Sequence, residues 1–501
     1  MNIHTVFRRG REMKIYKKLF TFIFFLNVGM IASGLAAQPH EKEVLTAMRK
    51  AADFMANTVS NRGGYVYQYS EDLSKQWGEI PARSTQIWVQ PPGTPSVGMM
   101  YLRAYEATGD PVYLNYAKNA AHALIWGQHP AGGWHYLIDF DMAGIQQWYD
   151  EVASRCWGWE EYLHYYGNCS FDDYSTSAPT RFLLELYMTT LDPKYLSPLL
   201  KALDFVLEAQ YPNGAWPQRY PLMYTRPQGT HDDYSHYYTF NDDVISDNID
   251  LLLEAYDKLG REEYREAAYS GMDFYLISQL PTPQAGWAQQ YTMKMKPGWG
   301  RSYEPDAVCT VQTLNNISDL QKFFMITGDR RYLKPIPDAI AWLECAVLTS
   351  GLPEGKTHAY FYEMGTNKPL WSHREGNSID DGRYWVDYDI TDYYPYGVPL
   401  TITISTIRSN YERIQNLTSE QAVSNHKSEK KARKISSPAA TETIENITGS
   451  LDERGAWITE IEIPQYFGDV FRESSTRIRG IDIRVYIENM QILINYLNYA
   501  E

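Results

Sequence analysis

The sequence predicts a mainly α protein, an incomplete α/α toroid of repeated helical hairpins with long cleft-forming loops. Two observations carry this reading. A unit of helix, short turn and second helix recurs along the chain, and three copies end in Gly-x-Trp or Gly-Trp. The turns "TGDPVYL", "LDPKYL", "LGREEYREA" and "TGDRRYL" fall roughly 70–80 residues apart, the signature of a structural repeat. Each turn is flanked by apolar residues at helical spacing. Such hairpins bury their apolar faces on their neighbours, and a ring of them accounts for one large domain. An open solenoid is the alternative arrangement.

Taken in order, residues 1–37 read as an export signal, with Met1 or Met13 as the start. Lys14, Lys17 and Lys18 precede an apolar stretch that ends in small residues near Ala37. An uncleaved anchor is the other reading of this segment. Export makes disulfides possible, and Cys156 and Cys169 are the closest pair in sequence. No CxxC is present, so a zinc cluster is not indicated.

The hairpin domain is expected over residues 38–415. Its first copy is "MMYLRAYEATGDPVYLNYAKNAAHALIWGQHPAGGWHY", and its second ends "EAQYPNGAWPQRY". Asp-Pro in the turns fits a helix stop followed by a Pro-started helix. Trp134, Trp216 and Trp287 close the first three copies. They either border one cleft, with Trp216 as a sugar-stacking residue, or staple their own helix pairs. The fourth copy, "LQKFFMITGDRRYLKPIPDAIAWLECAV", lacks the Trp ending. Residues 351–400, rich in Gly, Asp, Tyr and Pro, are expected to form loops over the ring. Residues 416–456 turn polar and read as a flexible segment. Residues 457–501 show strand-like alternation and then an apolar helix, with no packing assigned.

A formal net charge of -15 argues against a nucleic-acid partner. Aromatic residues make up 14% of the chain, more than a core requires, and aromatic faces line clefts that stack on sugar rings. Three polar groups stand outside the helices: Asp172 and Asp173, then Asn241, Asp242 and Asp243, then Arg301. A single Asp before a helix is commonly its cap. Two Asp-Asp pairs at equivalent positions exceed what capping needs. Adjacent carboxylates repel unless a cation or proton lies between them, and oxygen-rich sites suit Ca2+.

The motifs "QYPNGAWPQRYP", "YTFNDD", "GRSYEP" and "FYEMGTNKPLWSHREG" occur in this order and resemble those of the family 10 polysaccharide lyases. These are pectate lyases of the α/α-toroid type. The similarity runs from about residue 45 to 395. It implies Ca2+-assisted β-elimination on polygalacturonate, with an acidic polysaccharide as the partner. By resemblance, Asp172 lies near cation and substrate, Asp242 is a cation ligand joined by Asp243, Arg301 is the base, and Arg374 holds substrate carboxylates. Glu304 either orients Arg301 or faces solvent.

The chain departs from that pattern. Tyr360 stands at a substrate position where the family has Arg, so one carboxylate contact is missing. The Asp172 segment reads Asp-Asp-Tyr-Ser rather than Asp-Asn-Gly-Ala. A long loop adds His231, Asp232, Asp233 and His236, whose histidines are either ligands or idle. Two other readings stay open: a toroid glycoside hydrolase using Asp242 and Asp243 as acid and base, and an inactive pectin-binding homologue. The expected setting is secreted or periplasmic, with one chain acting as a monomer and membrane contact only through the signal segment.

Overall fold

The turn inside the first hairpin follows from three residue types. In the computed structural model, α1 spans Glu41–Phe54, α2 Thr94–Thr108 and α3 Pro111–Trp126. Gly109 ends α2 with φ 67°, a left-handed conformation that costs glycine nothing. The Asp110 carboxylate then accepts from the Val112 amide, and Pro111 starts α3 with a pre-set φ. A short α4 (Ile145–Glu151) follows. The second hairpin is α5 (Ser177–Thr190) and α6 (Pro193–Ala209), and the third is α7 (Val244–Leu259) and α8 (Glu262–Ser278). The fourth is α9 (Thr310–Thr327) and α10 (Ile336–Cys345). Gly260 and Gly328 repeat the role of Gly109.

The second hairpin is the exception. Leu191 occupies the left-handed position with φ 51° while its side chain is 66% exposed. Its Cβ is strained there and its apolar surface gains little. Leu191→Gly is expected to stabilise the protein by about 1 kcal/mol, read as a raised midpoint in chemical denaturation.

The description covers residues 40–155, 167–222, 233–375, 383–393, 397–432, 440–463 and 476–498. The expected export signal and Cys156 of the expected disulfide lie outside these residues. Among them, Cys169, Cys309 and Cys345 are unpaired. No described helix is long and apolar enough to cross a membrane.

The tryptophans that close the repeats are staples. Trp134 Nε1 donates to the Leu124 carbonyl at 2.8 Å, Trp216 Nε1 to Val206 at 2.8 Å, and Trp287 Nε1 to Tyr275 at 3.1 Å. Each bond satisfies an orphan carbonyl at a helix end. All three rings are fully buried, so the expectation that they border a cleft is corrected. Trp216 presents no face on which a sugar could stack. The fourth copy does have an equivalent: buried His358 donates from Nε2 to the Leu343 carbonyl at 2.9 Å. A glutamine clamp accompanies the staple. Gln128, Gln210 and Gln279 each bond the carbonyl of a residue just before the tryptophan. Each also reaches the next hairpin, at Pro198, Ala267 and Pro335 respectively.

The C-terminal fifth continues the same architecture, which corrects the expected flexible segment at 416–456 and the unplaced tail. After α11 (Ile404–Gln415), α12 (Ser419–Ala432) packs on α9 through the fully buried Ala422. Next, α13 (Thr441–Gly449) ends in another Gly-x-Trp copy, where Trp457 Nε1 donates to the Ile447 carbonyl at 2.9 Å. The strand Thr459–Ile463 pairs with Thr476–Asp482, which also pairs with Gln68–Ser70 near the N-terminus. Finally α14 (Ile483–Asn498) packs on α2 and α1. The first helices of successive hairpins line up, α2 on α5 and α5 on α7, while α14 returns to α2. The toroid therefore runs from α1 to α14, past the expected boundary at 415.

Candidate active site

The site grows from the short links between each staple and the next inner helix. The residue two places after each staple lends its carbonyl to a backbone amide at the start of the same hairpin, in the link that precedes its first helix. Tyr136, Gln218, Gln289 and Tyr360 accept from Val89, Phe171, Phe240 and Thr310 at 2.7–2.9 Å. This repetition carries their side chains to equivalent places around the ring.

Two of the links are 3-10 turns, Asp172–Tyr174 before α5 and Asn241–Asp243 before α7. Asp173 and Tyr174 have φ 47° and 62°, and Asp242 and Asp243 have φ 51° and 58°. Residues other than glycine in this region cost on the order of 1 kcal/mol or more each, and such strain gathers at functional sites. The shared conformations fix the register of the two turns. Asp172 corresponds to Asn241, Asp173 to Asp242 and Tyr174 to Asp243.

Carboxylate oxygens of Asp172, Asp173 and Asp242 lie within 4.8 Å of one another. Arg301 ties the group together: Nη2 is 3.1 Å from Asp172 Oδ2, and Nη1 is 3.0 Å from Asp242 Oδ2 and 2.9 Å from Glu304 Oε1. Glu304 is buried rather than facing solvent. Its Oε2 also accepts from the Arg301 amide at 2.9 Å, so it fixes both ends of that residue.

Neutral donors complete the frame. Tyr136 Oη and Gln218 Nε2 donate to Asp172 Oδ2 at 2.7 and 3.2 Å, and Gln90 Nε2 donates to Asp173 Oδ2 at 3.1 Å. Gln289 Nε2 donates to Asn241 Oδ1 at 2.8 Å, and Asn241 Nδ2 donates to Glu304 Oε1 at 3.0 Å.

The electrostatics follow from burial. Desolvation raises the Asp242 carboxyl well above the usual range; the Asp172 charge adds to the rise and Arg301 opposes it. Burial also raises the Tyr360 phenol, with neighbouring acidic groups adding to the rise, so its hydroxyl stays protonated. Asp172 is fully buried, yet its Oδ1 has no hydrogen-bond partner. Gln218 Oε1 and Gln289 Oε1 are likewise buried without a donor. An unsatisfied buried oxygen is costly, and three carboxylates with spare lone pairs form an oxygen donor set suited to a hard divalent cation.

The structure thus brings Asp172, Asp242 and Arg301 together, with Asp172, expected near cation and substrate, in the carboxylate cluster, and it changes one assignment. Asp243, expected as a cation ligand, accepts instead from Tyr174 Oη at 2.8 Å and stands outside the cluster. Its place is taken by Asp173, because the equivalent residue of the other turn is Asp242. The helper residues Tyr136, Gln218 and Gln289 had a sequence signal, the fixed offset of two from each staple, whereas Gln90 had none. Arg374 lies on the strand Pro369–Glu375, opposite Tyr384, and its side chain is outside the described residues. That strand is docked beside Arg301 by Ser372 Oγ donating to the Tyr303 carbonyl at 2.8 Å. His231 and Asp232 also fall outside the described residues, and His236 packs its ring against Tyr237.

Three solved structures share the chain's general outline at low similarity. A family 10 polysaccharide lyase from Cellvibrio cellulosa is 19% identical over 63% of this chain and 96% of its own, with TM-score 0.41. A cellobiose 2-epimerase from Bacillus thermoamylovorans is 12% identical over 91% and 98%, with TM-score 0.42. A family 76 alpha-mannanase from Bacteroides thetaiotaomicron is 12% identical over 93% and 96%, with TM-score 0.39. No curated sequence matches the chain. Residues 163–256 match the profile of the pectic acid lyase family. That match bears out the resemblance read from the motifs, over the segment that holds Asp172, Asp173 and Asp242.

Proposed function

We propose that this protein is a polysaccharide lyase that cleaves pectate by β-elimination with the help of Ca2+. The observation that carries the reading is the cluster of the buried Asp172 with the half-buried Asp173 and Asp242, with Arg301 bound to Asp172 and Asp242. Asp172, Asp173 and Asp242 would hold the cation. When bound, a divalent ion neutralises a neighbouring uronate carboxylate and makes the proton at C5 more acidic.

The chain's own residues supply the rest. Arg301 is the proposed base for that C5 proton. The electron pair of the C5–H bond becomes the C4–C5 double bond as the C4–O bond breaks. The departing oxygen takes a proton and becomes a new reducing end. Three carboxylates around Arg301 favour its charged form, whereas positive charge brought to those carboxylates favours the neutral form. Base action is therefore expected only with the cation present. Glu304 holds the guanidinium in place through two contacts, and Tyr360 offers a neutral hydroxyl where the related lyases offer a cation. Arg374, on the strand Pro369–Glu375, is the proposed holder of substrate carboxylates.

The products test this reaction. Each elimination makes one C4–C5 double bond and one reducing end, so ultraviolet absorbance and reducing ends should rise in equal amounts on polygalacturonate. Reducing ends without absorbance would replace the reading with hydrolysis. Retention on pectin without products would replace it with binding alone. The basic and apolar start of the chain supports a secreted or periplasmic enzyme, as an extracellular polymer requires.

A further inference from the structure

The links that build the acidic cluster also open onto two cavities of opposite character. One, of about 320 Å³, is lined by Asp243, Asp247, Asp250 and Asp319, with Lys322 as its cation. The other, of about 460 Å³, lies among α2, α5 and α14. Its apolar surface comes from Pro91, Pro92 and Met99, and its charges from Arg103, Arg181, Arg484 and Glu488. Tyr174 borders both, with its hydroxyl bonded to Asp243 on the acidic side.

The second cavity adjoins the cluster by covalent neighbours. Tyr174 follows Asp173, and Pro91 follows Gln90, the donor to Asp173. Its charges are unequal in availability. Arg181 is committed to Asp247 and Glu254, at 2.5 and 3.0 Å. Among the described residues, Arg103 bonds the neutral amide of Gln491, at 2.7 Å. Arg484 is exposed and forms no ion pair among the described residues. Arg484, Ile487, Glu488 and Gln491 share one stripe of α14 at helical spacing, so α14 presents this stripe to α2.

We propose that the cavity bearing Arg103 and Arg484 is a subsite for one uronate residue of the polymer, next to but not at the bond that breaks. This rests on the polyuronate reading above. An anionic chain leaving the cluster meets an excess of carboxylates on one side of Tyr174, where Asp247 and Asp250 are paired with Arg181 and Lys322 but Asp243 has no cation beside it among the described residues, and is attracted by two guanidinium groups on the other. The prolines and the Tyr174 ring offer an apolar face for the sugar, and the volume suits a small-molecule site. The subsite gives α14, the last helix of the chain, a direct part in substrate choice.

The test uses Arg484, whose exposure makes it dispensable for folding. Arg484→Ala is expected to raise KM on polygalacturonate about tenfold with kcat unchanged, the loss of one charge-assisted contact. Arg484→Glu should raise KM further, and Arg484→Lys should restore most of the affinity. An unchanged KM in Arg484→Glu, beside a wild type that turns the polymer over, overturns the subsite and leaves the lyase reading standing. Native electrophoresis in gels containing polygalacturonate separates the two failures. If the wild type neither cleaves the polymer nor is retarded by it, both fall.

Discussion

Arg301→Ala should lower turnover of polygalacturonate by at least about a thousandfold, since it removes both the proposed base and a preorganised cation at the reacting centre. The same change should reach the metal-free fold. Arg301 is 4% exposed and neutralises Asp172, Asp242 and Glu304, of which Asp172 and Glu304 are no more exposed than itself. Removing it leaves carboxylates facing one another without a counter-charge, at a cost of about 3–5 kcal/mol. Added Ca2+ should recover part of that loss, because the ion then stands in for the missing guanidinium. The variant is therefore expected to show a larger Ca2+-induced rise in melting temperature than the wild type, while remaining inactive. A variant with retained turnover would remove Arg301 from the base role. Equal Ca2+ shifts in both proteins would show that Arg301 and the ion do not share ligands.

Trp216→Ala is expected to act on stability alone. The ring is fully buried, and its Nε1 satisfies the carbonyl of Val206 near the end of α6. Its removal leaves a cavity beside Gly271, whose backbone approaches the ring closely, and orphans that carbonyl. Losses of this kind cost about 3–5 kcal/mol. Thermal or urea denaturation should show the drop. In protein kept folded at low temperature, KM for the polymer should stay near the wild-type value. A raised KM at unchanged stability would restore Trp216 to the substrate surface.

The contrast between these residues shows what a sequence reading can reach. The hairpins were legible because their turns use residues with single-purpose conformations, as in Gly109-Asp110-Pro111. The C-terminal copy was not, because α12 is polar over most of its length and docks through Ser419, Ala422 and Val423, of which Ala422 alone is fully buried. A buried surface that small leaves almost no periodic signal. The fourth staple was hidden by a change of residue type, His358 doing with Nε2 what tryptophan does elsewhere. At the site, the residue types pointed to a cation, but the register of the two turns did not follow from spacing. Side by side, Asp-Asp at 172–173 and Asp-Asp at 242–243 look equivalent. Backbone conformation shifts the second pair by one place, which brings Asp173 into the cluster and sends Asp243 to Tyr174. Positions with positive φ at residues other than glycine carry no compositional mark.

The most direct test of the account follows the C4–C5 double bond on polygalacturonate for wild type and Asp172→Asn, each with Ca2+ and with chelator. The wild type should produce absorbance with Ca2+, lose it on chelation and regain it when Ca2+ is restored, while Asp172→Asn stays silent throughout. Absorbance that survives chelation, or that persists in Asp172→Asn, would contradict the claim that this carboxylate cluster and its cation carry the reaction.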